Sequence, residues 1–282
     1  MPSFLSGITG SFSTPAGDNP TVAIVEAAYR HHGLDVRYLN CEVQPEALGD
    51  AVRGARAMGW IGFNCSLPHK VAVIRHLDEL GTSAELIGAV NCVVRRGERL
   101  VGENTDGQGF AASLRTVVDP AGQEVMVLGA GGAARAIAVE VALAGARSVT
   151  VVNRDPGRGE GLAELIEQRT PAVGRFVAWK GSATVPEEVG VLVNATSVGL
   201  APDVTRSPDV VADSLRPGLV VADVIPNPAR TALLQEAGRR GAVTLDGVGM
   251  LVNQAVIAIE LWTGVAAEPD VLRSAYAEAV GT

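Results

Sequence analysis

Val125-Met126-Val127-Leu128-Gly129-Ala130-Gly131-Gly132-Ala133-Ala134-Arg135-Ala136 decides how this chain of 282 residues folds. Four apolar residues read as a buried strand, which runs through a glycine turn into a helix of small residues. Gly129 permits the tight turn, and Gly131 lets backbone N–H groups come close to a pyrophosphate. Ala134, in the third Gly/Ala position, lets helix and strand pack closely. The helix N-terminus adds orphan N–H donors and the positive end of the helix dipole, with Ala130, Gly132 and Ala133 completing the loop. A lone glycine match is weak, but a second strand at Ser148 to Val152 follows about 20 residues on, as a βαβ unit requires. The segment predicts a bound dinucleotide; the alternative is a glycine turn that serves packing only.

The end of that second strand bears on which dinucleotide. An NAD site usually places Asp or Glu there to accept the ribose hydroxyls, whereas Asn153-Arg154-Asp155-Pro156-Gly157-Arg158 follows here. The guanidinium groups of Arg154 and Arg158 suit a 2′-phosphate, and Asn153 can still bond the ribose. Asp155 is discordant: it repels a phosphate or holds an Arg in place. The expected cofactor is NADP, with NAD the alternative. A third segment, Val191-Leu192-Val193-Asn194-Ala195-Thr196-Ser197-Val198-Gly199, is a buried strand ending in small polar residues. Ligands of doubly wound sheets lie beyond the carboxyl ends of strands, so Ala195, Thr196 and Ser197 are expected at the cofactor.

Working outward, strand and helix patterns alternate in both halves, which implies α/β units with a largely parallel sheet. In the first half an apolar run at Phe4 to Thr9 is followed by a polar turn through Pro20. A helix then runs to Gly33, a strand covers Val36 to Asn40, a helix extends from Pro45 to about Met58, and a strand covers Trp60 to Asn64. Short helices are expected at Val71 to Leu77 and Ser83 to Ile87. A hairpin of Val90 to Val94 with Arg99 to Val101 turns at Gly97. Gly102 to Gly107 breaks both periodicities and reads as a link between domains. The second half carries strands near Val125, Ser148, Phe176, Val191 and Val220. After Leu245 the pattern is helical, at Met250 to Trp262 and Asp270 to Val280, and these helices are expected to return to the first domain.

A net charge of −8 argues against nucleic acid or an anionic membrane as the main partner, because both demand a basic surface. Cys41, Cys65 and Cys92 form no Cys-x-x-Cys pair and no framework of bridges, which fits a reducing cytoplasm. The start, Met1-Pro2-Ser3-Phe4, has no charged leader before an apolar core, and no apolar run approaches bilayer length. None of the four His is spaced as a metal pair, so no metal ligands are expected.

Only two of the 23 basic side chains are lysines, and Lys70 closes the segment Asn64-Cys65-Ser66-Leu67-Pro68-His69-Lys70. An Arg guanidinium does not give up its proton at ordinary pH, whereas a Lys ammonium can exchange one with a substrate. A surface lysine without a role is the plain alternative.

With these residues in place the chain resembles the shikimate/quinate dehydrogenase family over nearly its full length. The family's Asn-x-Thr-x-Pro-x-Lys appears as Asn64 to Lys70, with Ser66 where Thr is usual. Gly88-Ala89-Val90-Asn91 matches its Gly-Ala-x-Asn turn, and Gly102-Glu103-Asn104-Thr105-Asp106 its Gly-x-Asn-Thr-Asp. The glycine loop, Asn153-Arg154 with Arg158, Asn194-Ala195-Thr196-Ser197 and Gly249-Met250-Leu251-Val252-Asn253-Gln254 match in order. The resemblance implies an N-terminal α/β substrate domain over 1–104, completed by C-terminal helices in 250–282, and a Rossmann NADP-binding domain over 105–249. It implies NADP-linked interconversion of a ring secondary alcohol and its ketone, typically shikimate and 3-dehydroshikimate, by a monomer or homodimer. By analogy Lys70 and Asp106 form the catalytic pair. Ser66, Asn91, Asp106 and Gln254 hold ring hydroxyls, Ser11 and Ser13 hold the substrate carboxylate, and Val224, Gly247 and Met250 join the cofactor residues. A quinate, amino-substituted or other cyclic polyol paralogue is the alternative, and a non-catalytic dinucleotide sensor is a further one.

Two departures stand out. The family's early Ser-x-Ser-Pro followed by His-Asn is replaced by Ser11-Phe12-Ser13-Thr14-Pro15-Ala16-Gly17-Asp18-Asn19-Pro20. Asn19-Pro20 alternatively occupies the Ser-Pro place, leaving Ser11 and Ser13 as loop residues. Pro226 also stands where the family often has Tyr. Both differences fall where a carboxylate is recognised.

Overall fold

A computed structural model describes residues 4–281, so Met1-Pro2-Ser3, on which the leader reading rests, lie outside the described residues. The chain divides into two compact units, Met1–Thr105 with Gln254–Thr282, and Asp106–Asn253.

In the first unit the elements are β1 (Gly7–Ser13), α1 (Thr21–His31), β2 (Val36–Glu42), α2 (Leu48–Ala57), β3 (Gly62–Cys65), α3 (His69–Ala72), β4 (Glu79–Leu80), α4 (Thr82–Ile87), β5 (Cys92–Arg96) and β6 (Arg99–Glu103). They form a six-stranded sheet in the order β2-β1-β3-β5-β6-β4. β2 and β3 run parallel to β1, and β5 with β6 form an antiparallel hairpin turned at Gly97. Phe12, Leu48, Val52, Trp60 and Phe63 make the core under α2. α1 buries Ile24, Val25, Ala28 and Tyr29, a one-sided stripe at helical spacing.

The first strand lies further along than hydropathy suggests. Phe4 and Leu5 are exposed, and β1 runs to Ser13 because seven consecutive residues pair with β2, from Gly7 with Val36 to Ser13 with Glu42. Ladder pairing outweighs the polarity of Ser11 and Ser13 here.

The second unit begins at the second residue of α5 (Thr105–Leu114) and continues through β7 (Glu124–Leu128), α6 (Gly132–Leu143), β8 (Ser148–Asn153), α7 (Pro156–Arg169), β9 (Val173–Ala178), β10 (Val191–Asn194), β11 (Val220–Asp223), α8 (Ala232–Arg239) and β12 (Val243–Leu245). All of its strand pairs are parallel, in the order β12-β11-β10-β7-β8-β9. That is the doubly wound order, with its switch point between β7 and β10. Alternate residues of β7 enter opposite cores. Val125 and Val127 join Ile137 and Val141 of α6, while Met126 and Leu128 join Leu192, Leu233 and Leu234. A strand buried on both faces needs an unbroken apolar run, and each fully buried Val or Leu contributes about 1.5–3 kcal/mol.

Two helices close the chain, α9 (Gly247–Thr263) and α10 (Pro269–Val280). α9 starts in the second unit and ends in the first, where the Trp262 indole N–H donates to the carbonyl of Val93 at 3.0 Å. α10 packs on α1. Gly102 to Gly107, within which the first unit gives way to the second, is the end of β6, Asn104 and the first turn of α5. The three-residue β12 and the helix α8 before it were not anticipated; so short and exposed a strand carries no alternation to read.

Candidate active site

The motif residues of the first unit form one buried hydrogen-bonded network. The Tyr38 hydroxyl donates to Asn64 Oδ1 at 2.8 Å, and Asn64 Nδ2 donates to the Asn91 carbonyl at 3.0 Å. Asn91 in turn accepts the Thr105 N–H on Oδ1 at 2.7 Å and donates to Thr105 Oγ1 at 3.0 Å. Asn104 Nδ2 donates to the Ala89 carbonyl at 3.0 Å. The Gly-Ala-Val-Asn turn and the Asn-Thr-Asp segment are thereby clamped together, and buried amides so satisfied hold one geometry.

Lys70 stands on α3, half-buried, and the Val90 N–H donates to its carbonyl at 2.8 Å. Its positive charge acts on Cys65: burial pushes the Cys65 thiol up, and the Lys70 ammonium opposes that rise. Ser66 is half-buried, and its carbonyl accepts the His69 N–H at 2.7 Å. His69 Nε2 lies 2.8 Å from the Val43 carbonyl and fixes the start of α3. Gln254 is buried on α9. Asp106, the first residue of the second unit, sits in the first turn of α5, where the helix dipole favours a carboxylate.

Ser11 and Ser13 are strand residues rather than loop residues, and both are buried. The Ser11 hydroxyl donates to Asn40 Oδ1 at 2.9 Å and accepts from Asn19 Nδ2 at 3.3 Å. Ser13 Oγ is buried without a hydrogen-bond partner. Asn19 Oδ1 accepts the Thr21 N–H at 3.0 Å, so Asn19-Pro20 directly precedes α1. Glu42, the register partner of Ser13, accepts from Thr14 Oγ1 and the Ala16 N–H, both at 2.8 Å. Those two bonds hold the Glu42 carboxyl below its usual range.

In the second unit Gly129 takes φ +106°, and a side chain there would meet the Ala195 carbonyl at 3.1 Å. Gly131 and Gly132 are exposed, with open space where a Cβ would stand, and Gly131 begins α6 without a side-chain cap. Ala130 and Ala133 flank them half-buried, and Ala134 is fully buried. Uncapped N–H groups facing an open glycine cradle fit the phosphates of a dinucleotide.

Arg154 lines a cleft of about 270 Å³ with Asn153, Trp179, Thr196 and Arg206. Asp155 is the N-cap of α7: its Oδ1 accepts the Arg158 N–H at 3.2 Å, and Oδ2 stands 3.7 Å from Arg158 Nε. The discordant carboxylate therefore serves the helix and holds Arg158. Trp179 and Arg206 escaped the sequence reading because no motif marks the loops that carry them.

At the ends of β10 and β11 Asn194 Nδ2 donates to both Asp223 oxygens at 3.1 Å, and Thr231 Oγ1 donates to Asp223 at 2.8 Å. Burial pushes the Asp223 carboxyl up, against the pull of those bonds. Asn194 Oδ1 accepts from Thr196 Oγ1 at 2.7 Å, which fixes the loop carrying Ala195 and the exposed Ser197. Gly247 lets the start of α9 press on Val224, since a Cβ would come within 2.5 Å of the Val224 backbone, and Met250 packs on the same core as Val224. The fold also brings the ligand-type side chains of His31, His32 and Glu268 together, with ligand atoms within 4.8 Å of one another, a grouping sequence spacing does not reveal.

A doubly wound unit with an open glycine cradle, joined to an α/β unit carrying a Lys motif, defines the dinucleotide-linked oxidoreductases as the class. Family models match residues 13–93 as a shikimate dehydrogenase substrate binding domain and 112–198 as shikimate / quinate 5-dehydrogenase. A third matches 247–275 as a shikimate 5′-dehydrogenase C-terminal domain. The shikimate dehydrogenase (NADP(+)) of Methanopyrus kandleri is 42% identical, covering 97% of this chain and 96% of that one. The ligand-free crystal structure of 5-ketofructose reductase from Gluconobacter sp. strain CHM43 is 56% identical with a TM-score of 0.95, covering 98% and 99%. Shikimate 5-dehydrogenase from Listeria monocytogenes, in complex with shikimate and NAD, is 33% identical with a TM-score of 0.90, covering 96% of each chain. The chain belongs to the shikimate/quinate dehydrogenase family.

Proposed function

We propose that this protein transfers hydride between NADP(H) and a secondary alcohol or ketone on a polyhydroxylated substrate, the chemistry shared by shikimate and 5-ketofructose. The observation that carries the reaction is the uncapped, open glycine cradle at α6, in a chain whose other unit carries Lys70 on α3. Bound NADP supplies the hydride acceptor, and its reduced form the donor. Gly129 to Ala133 and the N-terminus of α6 hold the phosphates, while Arg154, with Arg158 beside it, meets the 2′-phosphate. The Lys70 ammonium exchanges the proton that the hydroxyl oxygen loses or gains, with Asp106 as its carboxylate partner. Ser66, Asn91 and Gln254 orient hydroxyls.

The curated relative and the family models support shikimate as substrate. A specific observation favours the second reading, a neutral polyhydroxy ketone of the 5-ketofructose kind. At the end of β1, where the family pattern departs, Ser13 pairs with an acidic Glu42 and Ser11 is engaged with Asn40 and Asn19. A substrate carboxylate placed there meets like charge, whereas hydroxyls meet amides and a carboxylate that accept or donate readily. The Gluconobacter relative, at 56% identity, agrees with that preference. Steady-state rates with NADPH on 3-dehydroshikimate and on 5-ketofructose decide it. A kcat/KM at least tenfold higher on 5-ketofructose supports the neutral reading, the reverse ratio establishes shikimate chemistry, and no reduction of either ketone overturns the proposed reaction.

A further inference from the structure

Outside the residues of the proposed reaction, three ligand-type side chains converge in the first unit. His31 ends α1 and His32 caps it, while Glu268 is the N-cap residue of α10, the helix packed on α1. Their ligand atoms all lie within 4.8 Å of one another. Oε2 of Glu268 stands 2.8 Å from His32 Nε2 and 3.8 Å from His31 Nε2. A tetrahedral zinc with bonds of about 2.0–2.1 Å separates neighbouring ligand atoms by roughly 3.3–3.4 Å, between those two distances. The two imidazole rings stand edge to face with centroids 5.1 Å apart, so their nitrogens converge on one point without stacking.

A plain ion pair between Glu268 and a protonated His32 is the competing account. It leaves two features unexplained. His32 Nε2 is buried and makes no hydrogen bond of good geometry despite its 2.8 Å approach to Glu268. His31, half-exposed, brings a second imidazole to the same carboxylate oxygen. The Glu268 carboxyl is held below its usual range, first by its own backbone N–H and then by the two imidazoles, so the charge a cation needs is kept at this point.

We infer that His31, His32 and Glu268 form a binding site for a borderline divalent transition metal, zinc foremost, that ties the end of α1 to the start of α10. Two imidazoles and one carboxylate are the donor set of open zinc sites, and imidazole excludes magnesium and calcium, which take oxygen ligands. Water fills the fourth position, since His31 and Glu268 are about half exposed. The metal fastens residues 31 and 32 to residue 268, distant in sequence, and adds stability in proportion to the logarithm of its concentration.

The test uses tag-free full-length protein stripped with a chelator. Titration calorimetry with zinc chloride is expected to give one site per chain, and cobalt(II) to give the strong visible absorption of a tetrahedral site. His31→Ala and Glu268→Gln are each expected to weaken zinc at least tenfold to 100-fold and to abolish the cobalt spectrum, with NADPH binding unchanged. Equal zinc affinity in wild type and both variants overturns the assignment, as does the absence of saturable binding. An octahedral cobalt spectrum that survives His31→Ala also overturns it, because a site elsewhere then holds the metal. Glu268→Gln keeps the shape of the side chain, so a loss confined to His31→Ala rejects the carboxylate as a ligand and with it the three-residue site.

Discussion

Asn91 Oδ1 accepts the Thr105 backbone N–H at 2.7 Å while Asn91 Nδ2 reaches the Thr105 hydroxyl at 3.0 Å, so one buried amide satisfies both polar groups of the residue next to Asp106. Asn91 is thus a positioning residue before it is a substrate contact. Asn91→Ala leaves a buried N–H and hydroxyl unpaired, at about 1–3 kcal/mol each. Urea denaturation is expected to register a loss of about 2–6 kcal/mol for the two groups together. Asn91→Ala should also lower kcat, because Asp106 follows directly in the chain. A variant with full stability and activity would refute the clamp.

Lys70→Ala is expected to lower turnover by roughly 10² to 10⁴-fold, the range for removing a general acid or base, with NADPH affinity little changed. Fluorescence titration of NADPH separates the two effects. Near-normal turnover in Lys70→Ala would remove Lys70 from the proton path.

Arg154 lines the cleft beside Asn153 and Thr196, whereas Arg158 is paired with the N-cap Asp155. Arg154→Ala should weaken NADPH by about tenfold to 150-fold, the loss of one charge-assisted hydrogen-bonding partner, and leave NADH nearly unchanged. Equal losses for both dinucleotides would mean that Arg154 does not read the 2′-phosphate.

At the end of β1 the effects of Ser11→Ala, Ser13→Ala and Asn19→Ala on the Michaelis constant discriminate the two substrate readings. If the seryl hydroxyls bind the substrate, each deletion costs on the order of 1 kcal/mol. Ser13 Oγ has no partner, so its deletion should leave stability unchanged. A rise in KM confined to Asn19→Ala would instead put Asn19 at the substrate and favour the neutral ketone.

Asp223 carries a pH dependence of known sign. Its carboxyl is pushed up, chiefly by burial, so the folded state holds that proton more tightly than the unfolded chain, where the pKa is about 3.9. The stability this confers is full below that unfolded value and is lost as pH rises through the raised folded value. The difference in unfolding free energy between wild type and Asp223→Asn should therefore move against wild type from about pH 4 upward until Asp223 is ionised in the fold, then level off. A difference independent of pH between 4 and 7 would contradict the shift.

The sequence by itself determined the second sheet, the glycine turn at Gly129 to Ala133 and the order of the motifs. Those features rest on neighbours in the chain: β7 is apolar from Val125 to Leu128 because both its faces are buried there, and Gly129 answers a local φ of +106°. Lys70 was legible because lysine is rare here and ends a recognisable segment. What only the tertiary structure decided depends on partners brought together by sheet register and helix packing. The course of β1 through Ser11 and Ser13 was set by its ladder with β2, which no run of hydropathy announces. Asp155 read as a residue at odds with a phosphate until the start of α7 gave its carboxylate an N–H to accept. Asp223 met Asn194 and Thr231 only where parallel strands end side by side, and Glu268 met His31 and His32 only where α10 packs on α1. Local periodicity and turn chemistry act within a few residues; a hydrogen bond or ligand set between distant residues exists only once the folded backbone has brought its members within about 3 Å.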